Sequence, residues 1–339
     1  MAIKRNPHVK NIITITGDLG SGKSTVAKLI AEKTGMEYFS TGKIQRKIAE
    51  ELGIDTLELN KRGKKDKSTD NLIDGKLKAM NHDGTDNIIL DSRMAWHFVG
   101  NSFKIYLTAI PLVAAERVCA DKTRTGEPVG DVLTTCNNLL ARQKEENERF
   151  STFYNVDCKN LDNFDLVIDT STATPEQITD LILALFNDRK KGIVHSHQWI
   201  SPKDLIPCQD IRTLANKEQA LYSVVKEKGF DEKCPVEIIE YKNAYYIFDG
   251  HHRTSAAIKS NLSLIPYVFA PLTEKQKENH VKTTCWLSSI YDWEDFHNMT
   301  FKTGYLKDVP TKKISKQPET TNNQNMITTE PALQPAHFF

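Results

Sequence analysis

Gly17-Asp18-Leu19-Gly20-Ser21-Gly22-Lys23-Ser24 fits the pattern G-x-x-x-x-G-K-[ST]. Its surroundings have the order that pattern needs. The apolar run Asn11–Thr16 precedes it as a buried strand, and Ser24–Thr34 follows with helical periodicity. Glycines let backbone N–H groups curl round phosphate oxygens, and the helix N-terminus adds partial positive charge. Gly17, Gly20, Ser21, Gly22, Lys23, Ser24 and Thr25 are therefore the expected triphosphate cradle. In that role Lys23 neutralises the β- and γ-phosphates of ATP, and the Ser24 hydroxyl ligates Mg²⁺.

Outward from this loop, strand-like runs Asn87–Leu90, Phe103–Thr108 and Phe164–Ile168 alternate with amphipathic stretches such as Thr41–Leu52 and Pro111–Lys122. Strands alternating with helices imply βαβ units, so residues 10–188 read as an α/β P-loop NTPase domain with a parallel sheet and flanking helices. Asp188-Arg-Lys-Lys-Gly192 reads as a polar linker. A smaller α+β block follows over 195–275. It contains a hairpin, Val236–Tyr241 and Ala244–Phe248 about a Lys242-Asn243 turn, and a last strand, Ile265–Phe269. A helical extension is expected over 276–308. From 309 to 339 the chain is rich in Thr, Asn, Gln, Pro and Lys and reads as a disordered tail.

Composition sets the outer limits. The 339 residues carry 45 Lys and Arg against 44 Asp and Glu, a net charge of +1. That balance disfavours wholesale nucleic-acid coating, so nucleic acid ranks below a small-molecule nucleotide as partner. No apolar run approaches the about 20 residues of a membrane helix, and Met1–Lys10 lacks the apolar core of a signal peptide. Six scattered cysteines with no C-x-x-C pair read as reduced and structural, which points to the cytoplasm. Oligomeric state is left open.

The residues after the first helix suggest what accepts the phosphate. Ser40-Thr41-Gly42 leads into a helix carrying Arg46, and the strand Asn87–Leu90 ends in Asp91-Ser92-Arg93. Carboxyl ends of parallel strands face the ligand crevice. Asp91 can reach the metal with Ser24, while Arg46 and Arg93 offer forks for an acceptor phosphate beside Thr41 and Gly42. Arg142 and Arg149 lie two helical turns apart on one face, suited to a charged lid over the transferring group. Lys23, Arg93, Arg142 and Arg149 are the expected catalytic set. No N-K-x-D-like base clamp follows a strand, which argues against a GTPase.

These segments together resemble the cytidylate kinase family, a nucleoside monophosphate kinase fold, in its archaeal-type branch. The carrying residues are Gly17–Thr25, Ser40–Gly42 with Arg46, Leu90–Ala95, Phe103–Thr108, Arg142–Asn155, Phe164–Thr170 and Pro175–Phe186. The resemblance implies transfer of the ATP γ-phosphoryl group to CMP or dCMP. It casts Arg46 and Arg93 as acceptor-phosphate contacts, and Arg117, Arg142 and Arg149 as lid arginines. A P-loop kinase of another small substrate is the alternative.

The smaller block holds Asp249-Gly250-His251-His252-Arg253 after a strand and before a helix, a phosphate-holding arrangement by the same anion logic. With Ile206–Arg212, Pro235–Ile238, Tyr246–Ala257 and Ile265–Val268, it resembles the ParB/sulfiredoxin superfamily. That resemblance implies a second nucleotide site at Asp249–Arg253. His251 stands where sulfiredoxin chemistry needs a cysteine, and 273–300 is too short for a helix-turn-helix DNA reader. A nucleotide-gated DNA-binding protein is thus the less favoured alternative. Glu218, on the helix Asn216–Glu227, is a candidate base if this block acts on a small substrate.

Overall fold

In a computed structural model the chain is described over residues 10–54, 59, 68–82, 84–121, 130–208 and 215–288. The first part runs β1 (Ile12–Gly17), α1 (Lys23–Thr34), β2 (Glu37–Ser40), α2 (Thr41–Glu51), α3 (Ser68–His82), β3 (Ile88–Asp91) and a short α4 (Ala95–Phe98). It continues through β4 (Phe103–Thr108), α5 (Pro111–Ala120), α6 (Val132–Tyr154), β5 (Leu166–Asp169) and α7 (Pro175–Lys190). The strands pair in parallel in the order β2-β3-β1-β4-β5. Every residue of β1 is buried, as a parallel strand covered on both faces requires.

Strand periodicity splits the core. Ile13 and Ile15 pack with Val26 and Ile30 of α1 and with Ile178 and Ile182 of α7. Ile12 turns the other way, onto Ile73 and Leu77 of α3 and Val99. Helix starts are written locally. Asp131 caps α6 by accepting from the N–H groups of Leu133 and Thr134, and Thr174 and Gln177 form a reciprocal capping box before α7.

The second part holds β6 (Gln198–Ile200), β7 (Leu205–Ile206), α8 (Ala215–Lys228), β8 (Val236–Tyr241), β9 (Ala244–Asp249), α9 (His251–Lys259), β10 (Ile265–Phe269) and α10 (Glu274–Ser288). The hairpin turn is as expected, with Lys242 at φ 50° and Asn243 at φ 60°, the pair of left-handed residues that matches strand twist. The linker reading of Asp188–Gly192 is corrected: Asp188 to Lys190 close α7, and Gly192 (φ 78°) turns the chain back.

The chain then re-enters the same sheet. β6 pairs in parallel with β5 and antiparallel with β10, giving ten strands in the order β2-β3-β1-β4-β5-β6-β10-β8-β9-β7. Trp199 fills the first core while Ile200 fills a second, which draws in Ile110 and Val113 from the first part. β6 thereby covers the β5 edge, whose ladder would otherwise be unpaired. Among the described residues no helix is long and apolar enough to cross a membrane. Lys122, Arg124, residues 60–67, the extension beyond Ser288 and the 309–339 tail lie outside the described residues.

Candidate active site

The first glycine of the loop is obligatory. Gly17 sits at φ 140°, and a Cβ there would lie 1.9 Å from the carbonyl oxygen of Leu107. That contact exists because β1 pairs with β4 and the Asp18 N–H donates to the Leu107 carbonyl at 2.8 Å. Gly22, at φ 84°, leads α1 with open space around it. Lys23 then bends over the loop, donating to the carbonyls of Gly17 (3.1 Å) and Asp18 (2.5 Å). Burial and the nearby Arg93 guanidinium push the Lys23 ammonium down to about 7. A site that so strains a cation is one completed by an anion.

The register places Asp91 opposite Ile15, beside the loop. Its carboxylate accepts from the Ser24 hydroxyl at 2.6 Å and from the Tyr38 hydroxyl at 2.9 Å. A hydroxyl and a carboxylate in contact at the mouth of a phosphate loop are hard oxygen donors. They fit Mg²⁺, which takes one or two protein oxygens and fills the rest with phosphate and water.

The arginines meet on one anion. Glu146 of α6 lies 3.0 Å from Arg142 and 3.3 Å from Arg93. Burial alone would raise its carboxyl, but Arg93 and Arg142, with Arg149 nearby, hold it below the usual range. Arg93 also donates to the Gly17 carbonyl at 2.5 Å, so it touches both lid helix and loop.

Lys23, Ser24, Asp91, Arg93, Arg142, Glu146 and Arg149 line one cleft of about 760 Å³. The segment Gly20–Thr25 forms part of it, with Thr41 and Gly42 toward one end and Arg93, Arg142 and Arg149 between. Gln45, Asp74 and Tyr154 line the Thr41 end, and the Tyr154 hydroxyl donates to Asp74 at 2.7 Å. Arg46 sits on α2, its side chain outside the described residues. Arg117 rides on α5 rather than the lid helix, and donates to the carbonyls of Thr170 (2.5 Å) and Ser171 (3.1 Å). It thereby fixes the loop after β5 as a wall of the cleft.

The Asp249–Arg253 segment lies elsewhere, at the start of α9. Gly250 (φ 104°) is its N-cap, and Arg253 pairs with Asp249 at 2.8 Å. His251 points inward, accepts from the Cys208 N–H at 2.9 Å, and is pushed down to about 4 by burial. His252 Nδ1 and Arg253 Nε are buried without a partner. Glu218 is on α8, its side chain outside the described residues.

Three residues escape the motifs. Glu146 was signalled only by its four-residue spacing from Arg142. Tyr38 carried no signal at all. Asp18, within the loop, gathers Tyr106, Thr108 and Lys159 around its carboxylate at 2.6–2.8 Å. Burial would raise that carboxyl, and these partners bring it to about 2.

The block that builds this cleft is similar to known proteins. The cytidylate kinase-like family matches residues 12–172. Cytidylate kinase of Natronomonas pharaonis is 34% identical over 178 residues, 52% of this chain and 89% of that protein. Cytidylate kinase of Sulfolobus acidocaldarius is 34% identical over 187 residues, covering 55% and 99%. An S-adenosylmethionine-dependent nucleotide dehydratase of Lacinutrix mariniflava is 33% identical over 197 residues, 56% of this chain but only 40% of that protein. The matches coincide with the block that builds the loop, the Asp91 strand and the arginine-bearing helix, and the chain belongs to the cytidylate kinase-like family.

Proposed function

We propose that the protein moves the γ-phosphoryl group of ATP onto the phosphate of CMP or dCMP, giving ADP and the nucleoside diphosphate. The observation that carries this reading is the gathering of Lys23, Arg93, Arg142 and Arg149 on one cleft that the Gly20–Thr25 segment helps to line. Phosphoryl transfer needs little covalent help from a protein; it needs position and compensating charge. Lys23 holds the triphosphate. Arg93 holds the acceptor phosphate, with Thr41 and Gly42 in the same cleft, and the family resemblance makes Arg46 a second contact for it. Arg142 and Arg149 neutralise charge on the oxygens of the group in transit. Mg²⁺, held by Ser24 and Asp91, would add the remaining neutralisation. At the Thr41 end, Gln45 and Asp74 are an amide and a carboxylate able to pair with the amine and the ring-nitrogen edge of cytosine. ADP release scored across a panel of nucleoside monophosphates and small hydroxyl compounds tests this. CMP or dCMP should lead, and Lys23→Ala should abolish the signal; a different leading acceptor, or activity kept in the variant, rejects the assignment.

Residues 195–275 we read as a second nucleotide-phosphate-binding unit of ParB/sulfiredoxin type. The support is the left-handed Gly250 at the head of α9 and the unpartnered Arg253 Nε beside it. The unit shares a sheet with the kinase block, so the whole chain is the proper sample. CTP titrated onto the Lys23→Ala protein should bind, and adding Arg253→Ala should remove that binding. Equal binding by both proteins rejects the second site.

A further inference from the structure

A second cavity, of about 360 Å³, lies outside the phosphoryl-transfer cleft, where the two parts of the chain meet. Asp18, Tyr106 and Leu140 form one side of it; Glu240, Tyr245 and Tyr267 form the other. Three rings line it, Tyr106, Tyr245 and Tyr267, which are 5%, 8% and 2% exposed, beside the polar Gln143 and Lys159. Leu140 and Glu240 are exposed and stand at the mouth. The size lies at the small end of ligand pockets, which suits one ring system and not a dinucleotide.

The polar groups differ in what they can still do. Asp18 is committed to Tyr106, Thr108 and Lys159. Glu240 is not: it stands at the solvent-exposed rim, where the partial burial of its carboxyl raises it above the ordinary range against the pull of Lys277. Its carboxyl offers acceptor oxygens to an amine, and Asn243 on the hairpin turn adds an amide. The cation that lines the cavity, Lys159, is already paired with Asp18 at 2.8 Å, and Glu240 adds a further carboxyl, so a phosphate is disfavoured. A plain hydrocarbon would leave the Glu240–Asn243 edge unpaired.

We propose that this cavity binds an unphosphorylated nucleoside through its amino-bearing base, the ring lying against Tyr106, Tyr245 and Tyr267 and the amine meeting Glu240 and Asn243. The site adjoins the phosphate loop through Asp18 and Leu19. Asp18 lines the cavity with its carboxylate while its carbonyl accepts from Lys23. An occupant is therefore placed to affect how the loop holds a triphosphate.

The test is calorimetric titration of cytidine, and separately adenosine, onto the full chain with ADP and CMP present at saturation to fill the main cleft. One of the two nucleosides should bind with a dissociation constant below about 1 mM. Glu240→Ala removes the recognising carboxyl at an exposed position, and Leu140→Arg blocks the mouth from an exposed helix face; each should weaken binding at least about tenfold. Binding by adenosine instead of cytidine supports the site and names its base. Absence of binding by both nucleosides, or binding unchanged in both variants, overturns it. ADP release with CMP, measured on the same preparations, reports on the kinase reading separately.

Discussion

The Arg93 guanidinium lies 3.3 Å from the Glu146 carboxylate, joining the end of β3 to the middle of the long helix α6. The same carboxylate holds Arg142 at 3.0 Å. The cations expected to grip phosphates are thus compensated by a protein anion, and an incoming phosphate competes with it for their fork-shaped donors.

Glu146→Gln should therefore lose stability before it loses chemistry. Removing the buried carboxylate leaves the part-exposed Arg93 and Arg142 uncompensated, which costs about 1–3 kcal/mol. Denaturant unfolding of the nucleotide-free variant should show a loss in that range, and ATP with CMP should restore much of it. A variant as stable as the parent would mean that Glu146 does not hold the arginines together.

ATP binding should take up a proton in mildly alkaline buffer. Lys23 is pushed down to about 7, so at pH 8 it is mostly neutral until a triphosphate favours the ammonium. Calorimetry in buffers of different ionisation enthalpy should give an uptake approaching about one proton per site. Lys23→Ala should lose it; persistence of the uptake would assign the proton to another group.

Tyr38→Phe deletes the hydroxyl that donates to Asp91 at 2.9 Å and leaves the ring in place. Groups that orient a metal's carboxylate commonly matter about 10–100-fold. The Mg²⁺ concentration giving half-maximal rate should rise about tenfold, with thermal stability little changed. An unaltered Mg²⁺ dependence would separate Tyr38 from the metal's support.

A pH signature should come from the junction of the two parts. Asp169 ends β5, and Asp204 follows β6; both are buried. Burial pushes Asp169 up to about 6, and burial plus the Asp169 charge raises Asp204 well above the usual carboxylate range. Unfolded carboxyls ionise near 3.8, so between that value and the folded ones the native state holds more protons. The stability this contributes is complete at low pH and disappears as pH rises through the folded values. Melting temperature should fall from about pH 5 to pH 8, and Asp204→Asn should flatten the fall. A wild-type profile as flat as the variant's would mean that the Asp204 carboxyl does not take up a proton on folding.

Legibility in the sequence followed the range of the interactions. The phosphate loop was readable because Gly17 to Thr25 are contiguous, and a positive φ or a helix N-terminus is a local demand. Strand limits such as Phe103–Thr108 came through because a parallel strand covered on both faces reads as a short, nearly continuous apolar run. The hairpin turn at Lys242-Asn243 was readable as the break between two strand-like runs. The linker reading of Asp188–Gly192 failed because polarity marks the exposed end of a helix as readily as a tether.

What the chain's letters determined by themselves was a parallel α/β block with a phosphate loop, and Lys23, Asp91, Arg93, Arg142 and Arg149 as the candidates for its chemistry. Tertiary structure alone decided that Glu146 would gather two of those arginines, that Tyr38 would brace Asp91, and that Lys159 would reach Asp18 across 141 residues. It alone decided that β6 would carry one sheet through both parts. These are meetings of side chains and strand edges distant in the chain, selected by burial and charge compensation, for which no local spacing exists to be read.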